Sequence, residues 1–325
     1  MNYQITATLG PSSPGPALWH GLLNAGCTAF RINTSHVTLA KLTEWVDQLN
    51  DFFLERKGCP VILDLQGSKW RLGRFSSLSL QKGTTVELIY GENSEQPGQL
   101  PLPHYDFFRA VMETGDEILI NDAKIRISVV RAESDHVLGR VIHGGEVSSR
   151  KGVAVPGSTL RSELLQSRDA EIIRLTSALS HRTYAVSFVK DGREMANYRN
   201  LLGQEAYLIA KLERQTALED VDAIAAWVDE LWLCRGDLGA EMGLSAMAQA
   251  VAEFSRSVKS LPKPLHMAGQ VLEHMTNHPE PTRAEVCHLY DLVCSGYQGV
   301  ILSDETAIGK YPLESCKAAA LFRKG

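Results

Sequence analysis

Tyr207-Leu-Ile-Ala-Lys211-Leu-Glu213 and Leu231-Trp-Leu-Cys-Arg235-Gly-Asp237-Leu-Gly239 lie about one strand–helix unit apart, and each is an apolar run that breaks off in charge. That is the pattern of a buried parallel strand reaching an open rim. Residues two apart on a strand share a face, so Lys211 and Glu213 point the same way. Glu213 and Asp237 then offer two hard oxygen ligands on neighbouring strand ends, a set that suits Mg²⁺ completed by substrate oxygens and water. Lys211 beside them is a fixed positive charge for a phosphoryl group or a developing enolate. Either motif alone is weak, since Lys-x-Glu commonly marks a solvated strand end and Arg-Gly-Asp arises by accident. The order and context of the two together carry the reading.

The same alternation extends in both directions. Gln4 to Gly10 reads as a strand, followed by a helix near Ala17 to Ala25. Thr28 to His36 reads as a strand with Arg31, Asn33 and Ser35 on one face, and a helix from Thr38 to Arg56 follows. Pro60-Val-Ile-Leu-Asp64 is a third strand ending in an acid. From Trp70 to Thr159 helical periodicity gives way to short β-like runs, with Gly91 to Pro103 expected as a loop. Alternation resumes with a helix from Ser162 to Ser180, a strand at Tyr184 to Phe188, and the two opening motifs. Strands at Pro264 to Met267 and Gly299 to Ser303 and a helix at Leu313 to Phe322 complete the pattern. The expected fold is α/β: a (β/α)8 TIM barrel with a small antiparallel β-barrel domain inserted after strand 3. Residues 1–69 and 160–325 would form the barrel and 70–159 the inserted lid domain. Chemistry in such barrels gathers at the C-terminal strand ends, here Arg31, Asn33, Asp64, Lys211, Glu213, Asp237 and Ser303.

Bulk properties exclude several classes. A net charge of −5 gives no electrostatic case for nucleic acid or an anionic membrane. No run approaches the ~18 apolar residues that span a bilayer. The first strand starts within a few residues of Met1, which leaves no room for a signal peptide, so a cytoplasmic protein is expected. Cys27, Cys59, Cys234, Cys287, Cys294 and Cys316 form no Cys-x-x-Cys pair, and the first three read as buried free thiols.

At this point the chain resembles the pyruvate kinase family along almost its whole length. The resemblance is carried by Ala7-Thr-Leu-Gly-Pro-Ser-Ser13, Arg31-Ile-Asn-Thr-Ser-His36, Leu63-Asp-Leu-Gln-Gly-Ser-Lys-Trp-Arg-Leu-Gly73 and Ser149-Arg-Lys-Gly-Val-Ala-Val-Pro-Gly157. It continues through Ala210-Lys-Leu-Glu-Arg-Gln215, Arg235-Gly-Asp-Leu-Gly239, Pro281-Thr-Arg-Ala-Glu-Val286 and Leu302-Ser-Asp-Glu-Thr-Ala307. It implies phosphoryl transfer from phosphoenolpyruvate to ADP, giving pyruvate and ATP. Glu213 and Asp237 would hold Mg²⁺ (or Mn²⁺), with the backbone around Gly236 near the substrate carboxylate. Lys211 and Arg31 would grip the phosphoryl group, and Asn33, His36, Arg71 and Lys151 would approach the nucleotide. A monovalent-cation site would comprise Asn33, Ser35, Asp64 and Leu65.

Three departures shape the expectation. Lys69 stands where K⁺-requiring members carry Glu, and its ammonium can supply the missing charge, so K⁺ is not expected to be required. Gly269 stands where the family has a threonine near the substrate carboxylate, which moves the proton path (Ser303 and water are candidates) or makes room for a larger 2-oxo acid. The chain ends at Gly325, so the C-terminal regulatory domain and its allostery are not expected. A homodimer through barrel helices around Glu241 to Met247 and Glu285 to Asp291 is compatible with the pattern. The alternatives are an Mg²⁺-dependent enolate-forming lyase or aldolase, a kinase of another 2-oxo acid, and a non-catalytic sensor of phosphoenolpyruvate or nucleotide.

Overall fold

A computed structural model describes residues 3–54, 59–111, 115–121, 123–156, 158, 161, 165–177 and 182–323. In chain order the strands are β1 (Gln4–Leu9), β2 (Ala29–Asn33), β3 (Val61–Leu65), β4 (Leu78–Leu80), β5 (Thr85–Tyr90) and β6 (Gln99–Leu102). Then come β7 (Glu117–Ile120), β8 (Ile125–Ala132), β9 (His136–His143), β10 (Gly145–Val147) and β11 (Val153–Ala154). The last are β12 (Thr183–Val186), β13 (Tyr207–Leu212), β14 (Glu230–Cys234), β15 (Leu265–Ala268) and β16 (Gly299–Leu302).

Contacts divide the chain into one unit of Met1–Gly67, Leu165–Gly236 and Ala250–Gly325, and a second of Ser68–Leu164 and Asp237–Gln249. The first unit is a closed barrel in the order β1-β16-β15-β14-β13-β12-β3-β2. Every neighbouring pair in it is parallel. This is the expected α/β barrel.

Strand alternation sorts its interior into layers. Ala29, Ile62, Ala185, Ile209, Trp232, Ala268 and Ile301 form one buried cluster, with the small alanines making room for Trp232. Two residues further along the same strands, on the same face, come Arg31, Asp64, Ser187 and Lys211. Two residues back from Trp232 and Ala268 lie Glu230 and His266, whose Oε1 and Nδ1 are 2.7 Å apart. The apolar plug thus separates a buried carboxylate–imidazole contact at one end of the barrel from a polar cluster at the other.

The second unit holds a six-stranded sheet, β11-β7-β8-β9-β5-β6, and a two-stranded one, β10-β4. The pairing is antiparallel as expected, save for β5 with β6. Strand β6 falls in the stretch expected as a loop. Pro101 hid it, yet an edge strand tolerates a residue without an N–H, and β6 ends the sheet. A helix, Tyr105–Ala110, also interrupts the β-like run and buries Phe107 and Phe108. The helix expected over Ser162 to Ser180 spans Ser167–Thr176. Its remaining flanks, and the expected domain boundary at 159 and 160, lie largely or wholly outside the described residues. Cys27 and Cys234 are buried free thiols, while Cys59 is half-buried. Among the described residues no helix is long and apolar enough to cross a membrane.

Candidate active site

The C-terminal end of the barrel carries a connected set of charges. Arg31, on β2, donates from Nε and Nη2 to Asp64 Oδ2 at 2.7 and 2.6 Å. Its Nη1 donates to Thr8 Oγ1 at 3.0 Å and to Ser303 Oγ at 3.4 Å. Lys211 Nζ reaches both Asp64 oxygens at 3.3 and 3.2 Å, Ser187 Oγ at 2.8 Å and Glu213 Oε1 at 3.0 Å. The second Glu213 oxygen accepts from the Phe188 amide at 2.8 Å. All of Arg31, Asp64, Lys211 and Glu213 are buried.

The electrostatics follow from this packing. Burial opposes ionisation of Asp64, but Lys211 and Arg31 outweigh it and pull the carboxyl down to about 2. Burial likewise opposes the Lys211 ammonium, and Asp64 and Glu213 overcome it, raising its pKa. Its two carboxylate partners thus favour the charged form of Lys211. Arg31 and Lys211 meet on Asp64, and Lys211 has Glu213 as its second partner, so the cluster is charge-balanced and holds two preorganised cations close to the rim.

Around the rim, Asn33 Oδ1 caps the short turn Thr34–His36 by accepting from the Ser35 amide at 3.2 Å. His36 is exposed there, and the Leu65 carbonyl accepts from the Ser187 amide at 3.2 Å. Gly269 has φ +87°, and a Cβ on it would lie 2.9 Å from the Gly236 nitrogen and 3.2 Å from that of Arg235. The missing side chain therefore leaves no hollow on that side, because the start of the helix Arg235–Met242 fills it. Arg235 reinforces the approach, donating to the Gly269 carbonyl from Nε and Nη2 at 3.0 and 2.8 Å. A threonine in this backbone would meet both strain and overlap, so the expectation of extra room beside Gly269 is not supported by the packing.

In the second unit Lys69 Nζ donates to Asp237 Oδ1 at 2.5 Å. Arg71 bridges to Gly152 across paired backbone and donates from Nη1 to the Arg150 carbonyl at 2.9 Å. Lys151 lies in that same segment, its carbonyl accepting from the Leu72 amide at 3.0 Å. The Arg71 amide donates to His104 Nε2 at 3.1 Å, so that nitrogen carries no proton.

Burial depresses His104 to about 4. Its folded value lies below the unfolded one of roughly 6.5, so the stability gained by keeping it neutral is present above about pH 6.5. That stability is lost as pH falls toward 4, and in full it amounts to about 3 kcal/mol. Urea unfolding across pH 7 to 4 is expected to show this slope in the wild type and not in His104→Gln. Equal slopes would refute the assignment.

Sequence reading missed three members of the set. Ser187 lies at the end of an apolar strand, the same signal that flagged Asp64 and Glu213, but as an uncharged residue it did not stand out. Glu305, fully buried and raised by burial, accepts from the Leu272 and Ser303 amides at 2.9 and 2.7 Å and so ties two rim loops. Thr8, on β1, steers Arg31. Glu305 and Thr8 both lie inside motifs quoted above, but spacing alone gives neither of them a role.

Among the described residues no group of three or more His, Cys, Asp or Glu could hold a metal. Glu213 follows the end of β13, and Asp237 lies in the helix Arg235–Met242 that follows β14. Carboxylate oxygens of this kind suit a divalent ion that takes much of its shell from substrate and water, as Mg²⁺ does, and not a closed structural zinc site.

The fold and this rim define a (β/α)8-barrel protein with a buried two-cation, two-carboxylate cluster at the C-terminal strand ends. The chain belongs to the pyruvate kinase family: the family model "Pyruvate kinase, barrel domain" matches residues 1–316. It is 35% identical over 316 residues to a protein named pyruvate kinase from Agrobacterium vitis, covering 96% of this chain and 65% of that one. A pyruvate kinase of Methylorubrum extorquens is 35% identical over 315 residues, covering 96% and 66%. One from Thermotoga maritima is 31% identical over 333 residues, covering 99% and 70%. The chain thus spans less than two thirds of the length of the first two.

Proposed function

We propose that this chain transfers the phosphoryl group of phosphoenolpyruvate to ADP, giving pyruvate and ATP. The observation that carries the reading is the pairing of Arg31 and Lys211 on one interior carboxylate. Phosphoryl transfer asks little covalent chemistry of the protein and depends on neutralising charge on the moving group. Lys211, fixed as a cation by Asp64 and Glu213, supplies one neutralising charge, and Arg31 supplies the second. A non-catalytic sensor would not need two desolvated cations aimed at the same place. The relatives named pyruvate kinase support the same assignment.

Glu213 and Asp237 are the residues we assign to Mg²⁺, which would supply positive charge to offset that of the substrate oxygens. The amides at the start of the helix Arg235–Met242, including that of Gly236, suit the substrate carboxylate. Arg71, His36, Asn33 and Lys151 are assigned to the nucleotide. Ser303 Oγ, which accepts from Arg31, is the side chain we assign to proton delivery onto the enolate, through water. Activity without added K⁺ is proposed from the positive charge of Lys69 at the position where K⁺-requiring members carry Glu; the contact that its ammonium makes here is with Asp237.

The test is pyruvate formation from phosphoenolpyruvate and ADP with Mg²⁺, in buffers free of K⁺ and Na⁺ and again with K⁺ added. Turnover that needs ADP and changes less than about twofold on adding K⁺ is expected. No turnover, or a strict need for K⁺, would overturn the transfer reading or the Lys69 assignment respectively.

A further inference from the structure

Two neighbouring side chains on the helix Ser167–Thr176 hold the loops on which the cationic cluster depends. Asp169 is fully buried. Its Oδ1 accepts from the Gln66 amide at 3.1 Å and its Oδ2 from the Gly67 amide at 2.8 Å. Those amides directly follow β3, which carries Asp64. Arg168 Nη2 donates to the Thr34 carbonyl at 2.7 Å and also to the Val37 carbonyl. That turn directly follows β2, which carries Arg31. The loops after β2 and β3 have left the barrel ladder, so their backbone groups need partners from elsewhere. Adjacent residues of one helix provide them.

The arrangement is not what stability alone would select. Burial raises the Asp169 carboxyl to about 6 against the opposing Gly67 and Gln66 amides, with Asp64 adding repulsion and Arg168 attraction. Tyr198, on the helix Gly192–Leu202, is close enough to feel the Asp169 charge. A buried carboxylate whose ionised form is disfavoured persists here in contact with the segment that aims Asp64. Both loops lead into groups assigned to the reaction, and the contacts of Asp169 with the loop after β3 and of Arg168 with the turn after β2 are to backbone groups.

We propose that Asp169, assisted by Arg168, is a positioning residue for phosphoryl transfer: through the loop after β3 it fixes Asp64 where Arg31 and Lys211 meet it. The inference rests on the transfer reaction proposed above. A carboxylate is required because both of its oxygens accept from backbone N–H groups. An asparagine in the same place turns an N–H₂ donor toward one of them.

The test pairs a structural readout with a kinetic one. In Asp169→Asn, amide exchange at Gln66 and Gly67 followed by NMR is expected to accelerate about tenfold or more, with β2 and β12 amides unchanged, and kcat to fall about tenfold. Unaltered loop protection in the variant would overturn the proposal, as would lost protection with kcat intact. Should the variant not fold, the wild type decides. Its Gln66 and Gly67 amides are expected to be as protected as those of β3, and fast exchange there refutes the clamp. A wild type without turnover removes the transfer reading by itself, and the exchange measurements then judge the clamp alone.

Discussion

Lys211→Met is expected to lower kcat by about 10³-fold, the scale on which deleting a preorganised charge from a dry active site acts. Methionine is nearly isosteric with the lysine stem and fits the same buried slot, so the change removes charge more than volume. What remains is informative. Asp64 keeps Arg31 and Ser187 as partners, and Glu213 keeps the Phe188 amide. Each carboxylate stays hydrogen-bonded, but the cluster loses one of the two cations that balanced it. Stability therefore falls by a few kcal/mol, of the order found when one partner of a buried ion pair is deleted. The barrel is expected to remain folded at assay temperature, which a thermal melt must establish first. With folding established, coupled detection of pyruvate measures the loss. A variant within tenfold of wild type would mean that Lys211 serves the fold and that Arg31 alone handles the phosphoryl charge.

The outcome bears on how the site was legible in sequence. Lys211, Asp64 and Arg31 sit near the ends of buried apolar strands and Glu213 just past one, and the two-residue period of a strand sends all four inward. The same period explains why the plug of Ile62, Ala185, Ile209 and Trp232 lies directly beneath them. Strand ends and face sharing are local properties, so local pattern found them. The pairing of Lys69 with Asp237 joins residues far apart in the chain, and no spacing rule predicts it. Asp169 was equally hidden: a single acid in a polar helical stretch looks like a solvated face until closure of the barrel buries it. Gly269 was legible as an anomaly but not in its meaning, because only the backbone shows that the start of the next helix occupies the missing side chain's place.

Gly67→Ala is expected to be among the most damaging single-methyl additions in the barrel, costing at least about 3 kcal/mol. Two effects combine. At φ +59° an alanine carries the left-handed strain of roughly 1 kcal/mol that any side chain would. Its Cβ would also lie 1.9 Å from the Ser187 carbonyl oxygen and 3.0 Å from the carbonyl carbon, both backbone atoms that no rotamer can move. Relief requires the ends of β3 and β12 to part. That motion pulls on the Ser187 amide bond to Leu65, on the Ser187 hydroxyl bond to Asp64 and on both Asp169 contacts. Gly83→Ala separates the two effects, since Gly83, third residue of the turn closed by the Thr84 amide on the Gln81 carbonyl, has φ +87° but no atom within 4 Å of its would-be Cβ. Urea unfolding of both variants is expected to place Gly83→Ala within about 1 kcal/mol of wild type and Gly67→Ala well below it. If the two were equally stable, the overlap at Ser187 would be relieved without parting the strands. The close approach of these two strand ends would then not be what holds Asp64 beneath Lys211.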